Sequence, residues 1–162
     1  MRPLLVLRFL VLLTLANGTP VIAKRLMGDR LAFALDGGCR FFDGRPLFGR
    51  SKTVRGIVLS IVVTSAGAPL VALAPAIGAI IGAAAMAGDL FSSFVKRRLG
   101  LASSSRASFL DQIPESLFPL LACRDALALT VTDIVAGVAV FTLGEMLLSR
   151  LLYRWHVRDR PY

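Results

Sequence analysis

Residues 3–22, 56–73, 76–95, 114–128 and 133–152 are predominantly apolar, and the charged side chains fall in blocks between them. Helices need roughly 20 apolar residues to cross about 30 Å of hydrocarbon, and the longer runs approach that length. A helix satisfies its own backbone hydrogen bonds where water is absent. The pattern therefore predicts an all-α integral membrane protein of about five transmembrane helices, forming one membrane-embedded domain over residues 1–162. A turn near Leu73-Ala74-Pro75 would separate the second and third runs, with Gly67 and Pro69 as the alternative break. The fourth run is short, and the break before the fifth falls within 124–133, where Arg124, Asp125 and Asp133 interrupt the apolar character.

Between these runs lie two polar loops, about 23–55 and 96–113, and a basic tail. With five crossings, both loops and the tail share one side of the membrane, and their lysines and arginines make that side cytoplasmic. The first run also reads as a secretory signal, because Arg2, the Leu4–Leu15 stretch and Ala16-Asn17-Gly18 resemble the three parts of one. Either reading places the basic segments together.

Composition agrees with the bilayer as solvent, since 56% of residues are hydrophobic and the mean hydropathy is +0.71. The net charge of +9 would suggest nucleic acid in a soluble protein. Here the basic residues flank apolar runs and few aromatics interleave with them, so anionic headgroups or phosphate ligands are the expected partners and nucleic acid is not. Cys39 and Cys123 form no paired motif, and His156 is the single histidine. Zinc is not expected, and the cysteines read as reduced thiols.

Three segments carry candidate chemistry. In Gly88-Asp89-Leu90-Phe91-Ser92-Ser93-Phe94-Val95-Lys96-Arg97-Arg98, helical spacing puts Asp89, Ser93, Lys96 and Arg97 on one face. The basic triplet alone would serve as a stop-transfer anchor, whereas an aspartate inside the span is costly and marks a functional position. In Gly49-Arg50-Ser51-Lys52-Thr53-Val54-Arg55-Gly56, a glycine-bounded turn presents cations and hydroxyls suited to polyphosphate, although the spacing is not that of a Walker A loop. The alternative is a plain positive flank. In Ser108-Phe109-Leu110-Asp111-Gln112-Ile113-Pro114-Glu115, Pro114 suits a first helical turn, so Asp111 reads as an N-cap or as a metal ligand.

Taken together, two carboxylates and several cations on one membrane face suit metal-assisted phosphoryl or nucleotidyl transfer. Mg²⁺ is the expected ion, because it takes hard oxygen ligands and retains water and substrate phosphates in its shell. Asp43, in Phe42-Asp43-Gly44-Arg45, reads first as a turn residue. Asp36 and Asn17 are further candidates. Gly78 and Gly82 form a G-x-x-x-G, usable for a homodimer contact or for close packing within one protomer.

The GDLFSSFVKRR segment resembles the G-D-x-x-x-S-x-x-K-R signature of CDP-diacylglycerol synthases. With GRSKTVRG before it and SFLDQ after it, the chain is most similar to the archaeal-type branch, the CDP-archaeol synthases. The resemblance runs from about Asn17 to Glu115. It implies five spans, a first span retained with its Asn17-x-x-Pro20 element, and a site open to the cytoplasm. It further implies transfer of CMP from CTP to the phosphate of a phosphatidate-type lipid, with release of pyrophosphate. By the same resemblance Asp89 and Asp111 are Mg²⁺ ligands, with Lys96 acting beside them, and Lys52, Thr53, Arg55, Ser93 and Arg97 contact substrate. The connection before Asp111 is much shorter than in the larger bacterial enzymes, which leaves ether and ester acceptors both open. A CTP-dependent lipid kinase or a non-catalytic anionic-lipid-binding module are the alternative functions.

Overall fold

A computed structural model describes residues 2–101 and 110–154, with side chains as far as Leu147. Its helices are α1 (Pro3–Met27), α2 (Val54–Gly67), α3 (Pro75–Arg98), α4 (Gln112–Ala122) and α5 (Val131–Arg154). A 3₁₀ turn, Ala68–Val71, continues α2. Among the described residues, Pro3–Met27, Val54–Val71 and Pro75–Arg98 are each long and apolar enough to cross a bilayer.

The helix ends depart from the sequence expectation in instructive ways. The first helix continues five residues beyond 22, because Lys24 and Arg25 sit comfortably at a C-terminus that carries partial negative charge. Pro69 tightens the end of α2 and the chain reverses at Ala72-Leu73-Ala74, so both candidate breaks between 56 and 95 are used in succession. The largest correction concerns the fourth run, expected over 114–128. As an 11-residue helix, α4 is only about 17 Å long and cannot cross a bilayer alone.

Gly88 accounts for the short helix. A Cβ there would lie 2.2 Å from the Pro114 carbonyl oxygen, so only glycine lets the start of α4 meet α3 at this level. Gly88 precedes Arg98 by ten residues, about 15 Å along the axis. The start of α4 therefore meets α3 roughly halfway along that helix rather than at its end.

Elsewhere the bundle follows small-residue packing. Gly78 and Gly82 face the α2 backbone, with added Cβ atoms 2.4 Å from Thr64 O and 3.0 Å from Ile61 Cα. The G-x-x-x-G is thus occupied within the protomer. Phe9, Leu12, Leu13 and Ala16 of α1 join Ile81, Ala85, Met86, Leu120 and Phe141 in the buried core. Leu4, Leu7, Val58, Val62, Val135, Val140 and Leu143 point outward, as lipid contact requires.

Pro20 illustrates how the apolar interior handles a missing donor. Lacking an N–H, it leaves the Ala16 carbonyl without its helical partner, and the buried Ser60 hydroxyl of α2 donates to that carbonyl at 2.8 Å. At the far end, the Arg2 amide donates to Asp133 Oδ1 at 2.8 Å, and its guanidinium donates to the Leu127 and Ala128 carbonyls. This clasp ties the start of α1 to the α4–α5 turn.

Candidate active site

The loop between α1 and α2 is organised by Asp36, a buried carboxylate. Its Oδ1 accepts from the Gly38 amide at 3.0 Å, and Oδ2 from the Phe48 and Gly49 amides at 3.1 and 2.9 Å. Burial alone would push its pKa up, but the Gly49, Gly38 and Phe48 amides outweigh that and hold it below the ordinary carboxylate value. Gly49 sits at φ +92°, a conformation open to glycine. The chain then pairs Ala34 with Thr53, and Lys52 leaves this junction toward α3.

Lys52 Nζ donates to Asp89 Oδ1 and Oδ2 at 2.6 and 2.5 Å. Glu115, from the first turn of α4, lies within electrostatic reach of Asp89, Lys52 and Asp111. Asp111, immediately before α4, pairs with Lys96 Nζ at 2.8 Å. Arg97 is buried and interacts electrostatically with Asp111. Ser93 is buried on the same α3 face as Lys96, while the Ser92 hydroxyl caps back onto the Asp89 carbonyl at 3.0 Å. Lys52–Asp89 and Lys96–Asp111 thus stand as two ion pairs where α3 meets α4, with Glu115 and Arg97 beside them.

Two expected contacts are turned elsewhere. Thr53 Oγ1 is the N-cap of α2, accepting from the Gly56 amide at 3.2 Å. The Arg55 guanidinium donates to the Gly28 and Arg30 carbonyls, bracing the end of α1. Asp43 accepts from the Arg45 amide at 3.0 Å, as a turn residue does, and also pairs with Arg98 at 2.6 Å. Asn17 stays outside these polar networks, its Nδ2 buried without a hydrogen-bond partner.

Glu115 was not singled out by sequence reasoning. It stands four residues after Asp111, and i, i+4 positions share a helical face, but it read simply as an acidic residue at a helix start. The acidic groups come from α3, from α4 and from the residue before α4, so the site is built more by helices than by loops.

Residues 68–162 match a family described as CarS-like, CDP-archaeol synthase. The CDP-archaeol synthase of Hyperthermus butylicus is 38% identical over 149 residues, covering 84% of each chain. That match, extending across most of both sequences, decides the relationship. The chain belongs to the CDP-archaeol synthase family. The CDP-archaeol synthase of Pyrobaculum calidifontis is 31% identical over 156 residues, 91% of this chain and 90% of the relative. A solved intramembrane enzyme for archaeal membrane lipids biosynthesis superposes with a TM-score of 0.75 at 32% identity, over 87% of this chain and 90% of its own. Membership of the CDP-archaeol synthase family and this likeness make the chain an integral membrane enzyme of lipid biosynthesis.

Proposed function

We propose that this protein transfers CMP from CTP to the phosphate of a phosphatidate-type membrane lipid, an archaetidic or phosphatidic acid, giving a CDP-activated lipid and pyrophosphate. Family membership supports cytidylyl transfer. The observation that carries the site assignment is the pairing of Lys52 with Asp89 and of Lys96 with Asp111, with Glu115 nearby, where α3 and α4 meet. The lysines and arginines of the two loops support a site open to the cytoplasm.

The donor set fits Mg²⁺. It is all hard oxygen, from Asp89, Asp111 and Glu115, with no thiolate or imidazole beside it. Among the described residues no three of these groups lie together closely enough to hold an ion between them, so the chain would supply one or two ligands, and water and substrate phosphates the rest. When bound, Mg²⁺ would neutralise charge on the nucleotide phosphates and the departing pyrophosphate.

The remaining chemistry falls to the chain itself. Lys52 and Lys96, which neutralise Asp89 and Asp111 in the absence of substrate, hold the triphosphate once it arrives, and Arg97 adds a fixed charge beside them. A lipid phosphate oxygen attacks the α-phosphorus in line; the bond from that phosphorus to the β-bridging oxygen breaks, and pyrophosphate leaves. A phosphate monoester is already ionised near neutral pH, so no general base is required.

The test is incubation of protein in nanodiscs with CTP, Mg²⁺ and a panel of ester- and ether-linked phosphatidates, followed by mass spectrometry. A CDP-lipid and pyrophosphate, both lost in Asp89→Asn, are the expected products. CDP with a newly phosphorylated lipid would replace this reading with a lipid kinase. No product from folded protein on any acceptor would leave a lipid-binding module.

A further inference from the structure

The chain between α1 and α2 contains a small hairpin, residues 40–46, closed by an Arg40–Pro46 bridge and the Phe41 amide on the Arg45 carbonyl at 2.8 Å. It is fastened to the end of α3. Arg45 Nη1 donates to the Arg98 carbonyl at 2.6 Å, and Arg98 in turn donates to the Pro46 carbonyl and to Asp43, both at 2.6 Å. These bonds satisfy carbonyls that every helix C-terminus leaves open.

The height of this attachment follows from helix geometry. Counting from Pro75, the α3 residues that cover about 30 Å of hydrocarbon end near Phe94. The Phe41 ring packs edge-on against Phe94, with centroids 5.4 Å apart, and Phe42 packs against Phe41 at 5.1 Å. The Arg98 guanidinium lies 4.8 Å from the Phe41 centroid and 5.0 Å from that of Phe94. An aromatic stack therefore leads outward from the helix at the hydrocarbon boundary. Its last member, Phe42, is 100% exposed, and Leu99 beside the attachment is also exposed. An exposed phenylalanine beside an exposed leucine at this height gains by leaving water, and such apolar side chains seat at the headgroup–acyl boundary with basic residues beside them.

We infer that the 40–46 hairpin is a membrane-interface anchor: Phe42 enters the acyl–headgroup boundary of the leaflet in which α3 ends, while the exposed Arg40 meets lipid phosphate and Arg98 fastens the hairpin to α3. The same loop carries Lys52 to Asp89, so the anchor holds that side of the polar cluster against the leaflet surface. The inference rests on α3 crossing the bilayer and is independent of the reaction catalysed.

Trp155 is the single tryptophan of the chain, so Phe42→Trp combined with Trp155→Phe places one fluorophore at the tip. The protein is reconstituted in phosphatidylcholine/phosphatidylglycerol vesicles, with lipids brominated either high or low on the acyl chain. Blue-shifted emission is expected, quenched strongly by the high bromines, less by the low ones, and weakly by aqueous iodide. Water-like emission with full iodide quenching would overturn the inference. So would blue-shifted emission that neither bromine position quenches, which would mean that protein covers the tip, from a second copy or from the chain itself. Because the Phe42 ring is fully exposed and touches only the edge of Phe41, the substitution is expected to leave folding intact, checked by an unchanged gel-filtration profile in detergent.

Discussion

Gly88 and Asp89 are adjacent and have separate duties. Gly88→Ala would drive a methyl group into the Pro114 carbonyl; the expected cost is about 1–3 kcal/mol, with loss of activity as α3 and α4 part. Gly18→Ala, inside α1 where nothing lies within 4 Å, is the control that should not lower thermal stability and should raise it slightly. Asp89→Asn keeps the shape but loses the charge; turnover is expected to vanish while membrane insertion and melting temperature persist. Near-normal activity in that variant would remove Asp89 from the site. Glu115→Gln likewise keeps the shape and loses the charge, so a selective rise in the Mg²⁺ concentration needed for activity would mark Glu115 as a ligand. An unchanged Mg²⁺ requirement would leave it a structural neighbour.

Helices and loops raise a different question, which is how each meets its neighbours without water. Ser60→Ala should leave the Ala16 carbonyl buried and unpaired, costing about 1–3 kcal/mol in detergent unfolding. Adding Pro20→Ala restores the missing N–H within α1, so the double variant should recover much of that loss. Independent, additive effects would show that Ser60 does not serve this carbonyl. The α1–α2 loop depends on Asp36 in a pH-dependent way. Since its folded-state pKa lies below the ordinary value of 3.8, its contribution is complete above that pH and disappears as pH falls through the folded value. Hydrogen exchange at Phe48 and Gly49 should accelerate across that acidic window, and Asp36→Asn should abolish the step.

For the molecule as a bundle, the first apolar run supplies Phe9, Leu12, Leu13 and Ala16 to the core, and Arg2 closes it against the α4–α5 turn. Asp133 is fully buried, accepting from Thr130 as well as Arg2. Asp133→Ala should lower the melting temperature and loosen the start of α1, read as faster proteolysis there, while Asp125→Ala at the exposed turn should change neither. Equal behaviour of the two variants would dismiss the clasp.

Hydropathy alone was enough for the helices and their order, because runs without charge can be stable in hydrocarbon only as helices. The spacing of Asp89, Ser93, Lys96 and Arg97 likewise needed only the helical period. What the linear pattern could not contain was distance between segments. Lys52 and Asp89 are 37 residues apart, and their pairing exists because Asp36 sets the loop and Thr53 starts α2. Glu115 joins Asp89 because Gly88 has no Cβ, and the same contact makes α4 begin deep and end early, against the longer span that its apolar run implied. Thr53 and Arg55 look like phosphate contacts in sequence, yet the fold engages them as a cap and a brace. Residue type and period are local properties of a chain; which carboxylate meets which ammonium depends on how closely two backbones can approach, and that is set by packing in three dimensions.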